Sequence, residues 1–223
     1  MELDILDIEA ALEREMALLE RVKRGEVIQG AALWQAGEQC LVAPRAMAAQ
    51  LRSGLAGSAQ DGWPCIFRPT GGDVTPQGPG VLSLTYCFRQ SKSAANPISA
   101  AYERVCDKVL AALGSLGISG TTGAVEGSYC DGDFNVVVDG LKFAGTAQRM
   151  TPVVGSPDEW AVLGQAMMIL QGEETEIIDA INALYAGAGM AKRVRTGVNV
   201  TLGDLGIEAD AFIEALSSEL GLG

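Results

Sequence analysis

Strand and helix patterns alternate along the 223-residue chain, and this alternation limits its fold more than any single motif does. The clearest helix begins at Asn96 and Pro97, after which apolar residues recur at helical spacing as far as Leu113. Residues 81–88 before it and 134–138 after it have strand patterns. No Pro/Ser-rich linker and no repeat interrupts the alternation. We therefore predict one α/β (α+β) domain over residues 1–223, a mixed sheet flanked by helices.

The remaining elements are assigned from the same periodicities. An amphipathic helix is predicted over residues 3–24, with an apolar stripe of Leu12, Met16, Leu19 and Val22. Further strands are predicted at residues 32–34, 40–42, 63–68, 124–129 and 141–148, with a tight turn at Asp139-Gly140, and further helices at residues 45–55, 173–185 and 208–220. Residues 157–170 fit either a helix capped by Ser156 and Glu159 or a buried strand.

The sequence contains no histidine. This excludes Ser-His-Asp and Cys-His catalysis, and it also excludes metal sites and pH switches built on imidazole. Any catalytic acid, base or electrophile must therefore come from Lys, Arg, Asp, Glu, Tyr or Cys.

The charge balance and the cysteines limit the partners and the compartment. Twenty-eight acidic residues against sixteen basic ones give a net charge of -12, and no basic cluster offers a face for nucleic acid. Five scattered cysteines without a CxxC pair do not suggest a disulfide framework. The acidic N-terminal segment differs from a signal peptide, and no apolar run approaches the ~20 residues of a membrane span. We expect a cytoplasmic protein with no nucleic-acid or membrane partner.

A glycine- and proline-rich segment, residues 68–80, separates two strand patterns. Its candidate ligand-binding residues are Arg68, Thr70, Gly71, Gly72, Gly78 and Gly80. Adjacent glycines let a backbone approach a ligand closely, and exposed amides beside an arginine suit a carboxylate or a phosphate. A simple turn between two strands has the same composition. The segment alone therefore does not define a site.

Lys142 lies in a strand pattern between Leu141 and Phe143, so its ammonium is predicted on the opposite face from theirs. The small residues that follow it at positions 145–147 leave room for a ligand. An exposed lysine on a solvated strand face fits the same pattern.

Taken together, the two segments resemble the biotin/lipoate A/B protein ligase family. The resemblance is carried by Arg68 with Thr70-Gly71-Gly72, by Gly78-Pro79-Gly80-Val81-Leu82 and by residues 135–148, and it extends more faintly to Trp34 and Thr201-Leu202. It implies that the glycine loop closes over an acyl chain and that Lys142 contacts the reactive carbonyl or an adenylate phosphate. Gly145, Thr146 and Ala147 would shape the pocket, and residues 162–170 would form a strand.

The resemblance to lipoate-protein ligases implies an enzyme that attaches a lipoyl or octanoyl group to a lysine of an acceptor lipoyl domain through an acyl-adenylate. ATP and Mg²⁺ would then be cofactors, and no protein metal site is expected. Asp73 stands where many relatives have a third glycine, and Gln77 where many have histidine. No accessory C-terminal domain is evident, so a separate subunit could be required.

Two alternatives remain open. Octanoyltransferases of the same fold take the acyl group from acyl carrier protein through a cysteine thioester and use no ATP. Cys130 precedes Lys142, as the cysteine does in one branch of these enzymes, although a small packing residue beside two aspartates fits its position equally. The second alternative is a non-catalytic relative that binds a lipoyl or biotinyl group. For an active enzyme, biotin is a further candidate acyl substrate.

The acceptor poses a separate problem, because lipoyl domains are commonly acidic and this chain is acidic too. A local basic patch of Lys192, Arg193 and Arg195 is the candidate docking surface.

Overall fold

The computed structural model describes residues 3–172 and 174–222. The strands are β1 (Asp4–Leu6), β2 (Gln29–Ala36), β3 (Cys40–Pro44), β4 (Cys65–Arg68), β5 (Thr75–Gln77), β6 (Val81–Ser91), β7 (Thr121–Gly123), β8 (Asn135–Val138), β9 (Leu141–Val153) and β10 (Ser156–Ile169). The helices are α1 (Ile8–Arg24), α2 (Ala48–Leu51), α3 (Leu55–Gln60), α4 (Pro97–Ser115), α5 (Glu174–Gly187) and α6 (Ala209–Leu220).

A seven-stranded mixed sheet forms the centre of the fold, in the order β1-β2-β6-β10-β9-β8-β7. Strand β1 runs parallel to β2, and every other neighbouring pair in this sheet is antiparallel. Helices α4 and α6 pack in the core on one face, whereas α1 packs across β6 and β10 on the other. The predicted mixed sheet flanked by helices is confirmed.

A second sheet of three strands, in the order β4-β3-β5, joins α5 and the ends of β6 and β10 in a separate apolar cluster. Strand β3 is parallel to β4 and antiparallel to β5. The glycine-rich segment connects β4 to β6 through β5. It is therefore held at the junction between the two sheets.

Helix α1 begins after Asp7, whose carboxylate accepts hydrogen bonds from two backbone N–H groups of the first turn. Its fully buried stripe is Ala11, Glu15, Leu19 and Val22. The predicted stripe shares only Leu19 and Val22 with the observed one, because Leu12 and Met16 lie at the edge and are partly buried. The helix thus brings a carboxylate, Glu15, onto the face of the sheet.

Four local predictions needed correction or a decision. The helix predicted from residue 3 begins only at Ile8, because residues 4–6 form strand β1. Residues 45–55 form a 3-10 turn and the short helix α2, and α3 begins only at Leu55. Residues 124–129 are not a strand: the Asp131 carboxylate accepts the Val125 N–H over 3.0 Å, and the strand is β7 just before them. Residues 157–170 belong almost wholly to strand β10, as the family resemblance implied. The turn at Asp139-Gly140 is confirmed, with positive φ at both residues.

None of the helices in residues 3–172 and 174–222 combines the length and the apolar character that a membrane crossing requires. All five cysteines carry free thiols. Four of them lie in strands or in α4, whereas Cys130 lies in the loop before β8. Cys130 is therefore the one cysteine that lies outside the helices and strands.

Candidate active site

A narrow cleft opens between α1, the central sheet and the small sheet. Its cavity volume is about 40 Å³. Five of the predicted site residues line it, namely Arg68, Cys130, Gly145, Thr146 and Ala147. Its apolar wall is formed by Ile8, Leu12, Trp34, Val42, Leu84, Ala166 and Met167. We call it the inner cleft.

Cys130 also lines a second, wider cleft with a cavity volume of about 370 Å³. This outer cleft is bordered by Gly72, Asp73, Tyr102 and the loop 131–135. Thr146 lines both clefts, and its hydroxyl donates to the carbonyl of Phe134 over 2.5 Å. The Cys130 side chain therefore stands at the boundary between a narrow, mainly apolar space and a wider one.

The Cys130 thiol is held against the glycine loop. Its Sγ accepts a hydrogen bond from the backbone N–H of Asp73 over 3.2 Å. Cys130 itself has a positive φ of 46° and is only 7% exposed. A strained backbone of this kind in a non-glycine residue is typical of functional sites.

Gly72 allows this close approach. Its φ is +90°, and a Cβ at this position would lie 2.8 Å from the Cys130 Sγ and 3.0 Å from Nη2 of Arg68. Both the backbone conformation and the space therefore require glycine. A Cβ at Gly71 would meet no atom within 4 Å. Of the two adjacent glycines, only Gly72 is therefore required by its close neighbours.

Arg68 fixes the shape of the glycine loop. One guanidinium nitrogen donates to the carbonyl of Val42 and the hydroxyl of Thr75, and the other donates to the carbonyls of Gly71 and Asp73 at 2.9 and 2.8 Å. Burial lowers the pKa of Arg68, and the nearby Cys130 and Glu15 oppose that shift. The side chain was predicted to bind an acyl or phosphate group, and the structure places its donors on the loop itself.

Asp73 anchors the loop on its other side. The Tyr185 hydroxyl donates to its Oδ1 over 2.6 Å, and Lys192 forms an ion pair with its Oδ2. Burial alone would raise the pKa of Asp73, but hydrogen bonds from Lys192, Tyr185 and the Val74 N–H outweigh burial and hold this pKa below its usual value. Asp73 therefore ties the loop to α5 and to the segment after it.

Lys142 is wholly buried behind Gly145 and does not line either cleft. Its ammonium donates to the carbonyls of Tyr129 and Cys130, the latter over 3.1 Å, and lies 4.1 Å from the centre of the Tyr129 ring. A Cβ at Gly145 would come within 3.1 Å of Nζ. Burial lowers the pKa of Lys142 to about 8, although negative charge at Cys130 and Asp131 opposes this shift. The lysine holds the backbone that carries Cys130.

Thr70, Gly78 and Gly80 line neither the inner nor the outer cleft. Thr70 is buried, and its hydroxyl has no hydrogen-bond partner among the described residues. Gly78 packs on Gln39 and Gly80 on the carbonyl of Gln171. Gln77 does line the inner cleft, and its side-chain amide exchanges hydrogen bonds with Ser83.

Two polar residues of the inner cleft were missed by the sequence patterns. Glu15 accepts hydrogen bonds from Thr85 over 2.7 Å and from Gln165 over 2.5 Å. Burial raises the pKa of Glu15 despite these donors and the positive charge of Arg68. Glu15 lies in the helical repeat Ala11-Glu15-Leu19-Val22. That repeat was the one sequence signal that could have shown that its side chain faces the sheet. Gln165 gave no such signal, because a lone amide in a strand pattern is common.

The sequence itself matches a protein-family model over residues 7–216, that of the lipoyl protein ligase A/B catalytic domain. The chain belongs to this family. It is 32% identical over 202 residues to an uncharacterized protein of Cupriavidus necator, a match that covers 86% of this chain and 79% of that protein. It is 30% identical over 200 residues to the octanoyl-[GcvH]:protein N-octanoyltransferase of Kyrpidia tusciae, with coverage of 87% and 68%.

Solved structures of this family share the fold. A lipoate-protein ligase A bound with ATP superposes with a TM-score of 0.68 at 16% identity, over 99% of this chain and 86% of that one. The putative lipoate protein ligase of Thermoplasma acidophilum with bound lipoic acid gives 0.65 at 16% identity, over the same shares of the two chains. The predicted family, its fold and an enzyme of the class that transfers acyl groups to protein are thereby confirmed.

Proposed function

We propose that this chain transfers a medium-chain acyl group, of the octanoyl or lipoyl class, to a lysine of an acceptor lipoyl domain through a thioester on Cys130. One observation carries the proposal: the Cys130 thiol stands where the inner and outer clefts meet. An acyl chain attached to Cys130 can extend into the inner cleft while its carbonyl faces the outer one. The transferase named among the relatives supports this reading.

The reaction has two balanced steps. In the first, the Cys130 thiolate attacks the acyl carbonyl of a donor carrier protein, the bond to the carrier's amine or thiol breaks, and the leaving group takes up a proton. In the second, the neutral amine of the acceptor lysine attacks the thioester, an amide forms, and the Cys130 thiol is regenerated. Splitting one acyl transfer into two steps is the general advantage of covalent catalysis.

The contacts of Cys130 fix the position of its thiol. The Asp73 N–H points at Sγ, and the ammonium of Lys142 donates to the carbonyl of Cys130 itself. Lys142 acts here as a positioning residue, because its ammonium is occupied by two carbonyls and lies behind Gly145.

This placement favours the thioester route over the acyl-adenylate route that the sequence resemblance placed first. A ligase would use ATP with Mg²⁺ and would need a cation directed at the adenylate phosphate. The two expected cations, Lys142 and Arg68, are both engaged with backbone carbonyls.

The outer cleft fits the approach of an acceptor lysine. Asp131 and Asp133 line it, and both are exposed. Carboxylates at the mouth of a cleft attract an ammonium group, which must lose a proton before it can attack the thioester.

The test is intact-mass analysis of the protein and of an apo lipoyl domain. After incubation with octanoyl-acyl carrier protein or with an octanoylated lipoyl domain, we expect an octanoyl adduct on the enzyme that hydroxylamine removes, followed by a mass gain on the acceptor. Cys130→Ser is expected to abolish both, whereas the matched Cys65→Ser leaves them unchanged, because Cys65 lies in β4 outside both clefts. Acceptor modification that requires ATP, Mg²⁺ and free octanoate and survives Cys130→Ser would establish the ligase reaction instead.

A further inference from the structure

We propose that the deep end of the inner cleft recognises a hydrogen-bond donor, an N–H or O–H group, at the far end of the acyl chain. The inference rests on the proposed function only in taking Cys130 as the point of attachment, and it narrows the substrate class. The acyl group would be of octanoyl length but would end in a donor, such as a hydroxyl or a ureido group, rather than in a plain methyl.

The hydrogen-bond donors at this end of the cleft all lead to Glu15. The Trp34 indole N–H donates to the Thr85 hydroxyl over 3.0 Å, so the hydroxyl proton of Thr85 is free to be donated to Glu15. On the other side, the Gln165 amide group also donates to Glu15. All the donors therefore converge on one carboxyl group, which is 3% exposed.

The acceptors at this site exceed the donors. The amide oxygen Oε1 of Gln165 is buried and receives no hydrogen bond from the described residues. Each Glu15 oxygen already receives one hydrogen bond from these neighbours, so the unpartnered acceptor is the Gln165 oxygen. A buried acceptor without a donor is costly. Because Gln165 lines the cleft, a ligand can reach this oxygen.

An alkyl end cannot satisfy this acceptor, and a dithiolane end offers no donor either. A purely apolar tail would displace water from Glu15 and Gln165 without replacing its hydrogen bonds, and burying polar groups in that way is unfavourable. A donor-terminated tail would restore the lost hydrogen bonds. Polar sites discriminate strongly against analogues that lack the matching group.

The Gln165 amide lies within reach of an acyl chain attached to Cys130. A Cβ at Gly72 would lie 2.8 Å from the Cys130 Sγ and 3.9 Å from the Cβ of Ala147, so the thiol and Ala147 are neighbours. Gln165 pairs with Ala147 on β10, and paired residues of neighbouring strands point to the same face of a sheet. A chain of octanoyl length that starts at the thiol can therefore bring its end to the Gln165 amide.

A matched pair of acyl groups provides the test. Nonanoyl and 8-hydroxyoctanoyl chains contain the same number of heavy atoms and differ in ending with a methyl or a hydroxyl. We would measure the dissociation constants of the two free acids by calorimetry and the rates at which their pantetheine thioesters acylate Cys130 by intact mass. We expect the hydroxylated chain to bind and react at least ~10-fold better, since one hydrogen bond to a buried acceptor accounts for that factor. Biotin forms a third arm, because its ureido group also carries N–H donors.

Variants connect the preference to the site. Gln165→Leu is expected to abolish the preference for the hydroxylated chain, and Glu15→Gln to reduce it. Gln148→Leu is the matched control, because Gln148 lies on the neighbouring strand with its side chain on the opposite face of the sheet. If the variants do not fold, the comparison of the two acids on the wild-type protein still decides the question.

The two proposals fail in different ways. Equal binding of both acids, or tighter binding of nonanoate, would overturn the polar-end proposal and show that the network only locks α1 onto the sheet. Preferential binding of 8-hydroxyoctanoate without acylation of Cys130 would uphold it and overturn the thioester mechanism.

Discussion

The backbone N–H of Asp73 donates a hydrogen bond to the Sγ of Cys130 across 3.2 Å. This contact joins two segments that are 57 residues apart in the sequence, the glycine loop and the loop before β8. It gives the loop a direct role at the thiol, in addition to any role as a cover for the acyl chain. Changes in the loop should therefore alter the chemistry of Cys130.

The two adjacent glycines of the loop should differ sharply in their tolerance of a methyl group. Gly72→Ala would force a Cβ to within 2.8 Å of Sγ at a φ of +90°, and we expect acyl transfer to fall by ~10²-fold or more because a displaced nucleophile loses its alignment. Gly71→Ala is the control, since a Cβ added there would meet no atom within 4 Å. The measurement is the rate of thioester formation in each variant. Equal rates would show that the loop does not position the thiol.

Arg68→Lys should destabilise the protein. The guanidinium forms four hydrogen bonds through two nitrogens, and a lysine ammonium has only three donors from a single atom. A buried carbonyl is left without a partner, so we expect the free energy of unfolding to fall by about 2 kcal/mol. Urea denaturation measures this change, with the exposed Arg45→Lys as the control. A loss confined to activity would instead indicate that Arg68 contacts the substrate.

The burial of Lys142 should be visible in the pH dependence of stability. Its pKa is lowered from 10.5 to about 8 in the folded protein, so between these values the unfolded state binds the extra proton and stability rises with pH. Relative to Lys142→Met, the wild type should gain up to about 3 kcal/mol between pH 8 and pH 10.5. Urea denaturation of both proteins across this range isolates the contribution of the lysine, because every other ionisable group is common to the two. A constant difference would mean that Lys142 retains its ordinary pKa.

The basic patch should act in the second step of transfer. Lys192 is paired with Asp73, whereas Arg193 and Arg195 are exposed. Replacing both arginines with glutamate is expected to lower kcat/KM for an acidic acceptor domain by about tenfold at low salt, and less at high salt, because exposed charges are screened. The rate of Cys130 acylation should not change.

Arg52→Glu, which alters an exposed arginine on another part of the surface, is the control for this patch. If it slows acceptor modification to the same extent, the effect reflects net charge rather than a docking surface.

Local patterns were sufficient for most of the elements and for the residues that carry the family resemblance. Asn96 and Pro97 define the start of α4, and Asp139-Gly140 defines the turn between β8 and β9, because capping and positive-φ turns depend on neighbouring residues only. The patterns failed at residues 124–129, where the Asp131 carboxylate binds the backbone and prevents a strand.

The family, the mixed sheet and the two segments that meet at the site all followed from the amino-acid sequence alone. The contacts of the side chains in those segments were decided by the tertiary structure. Lys142 is buried with its ammonium on the carbonyl of Cys130, and Arg68 donates to the carbonyls of the glycine loop. The roles of both residues in acyl transfer stay predictions. Glu15 and Gln165, 150 residues apart, meet 2.5 Å from each other in the cleft. The physical reason is that hydrogen bonds and burial depend on which side chains the fold brings together, and periodicity along the chain records only the face on which each one lies.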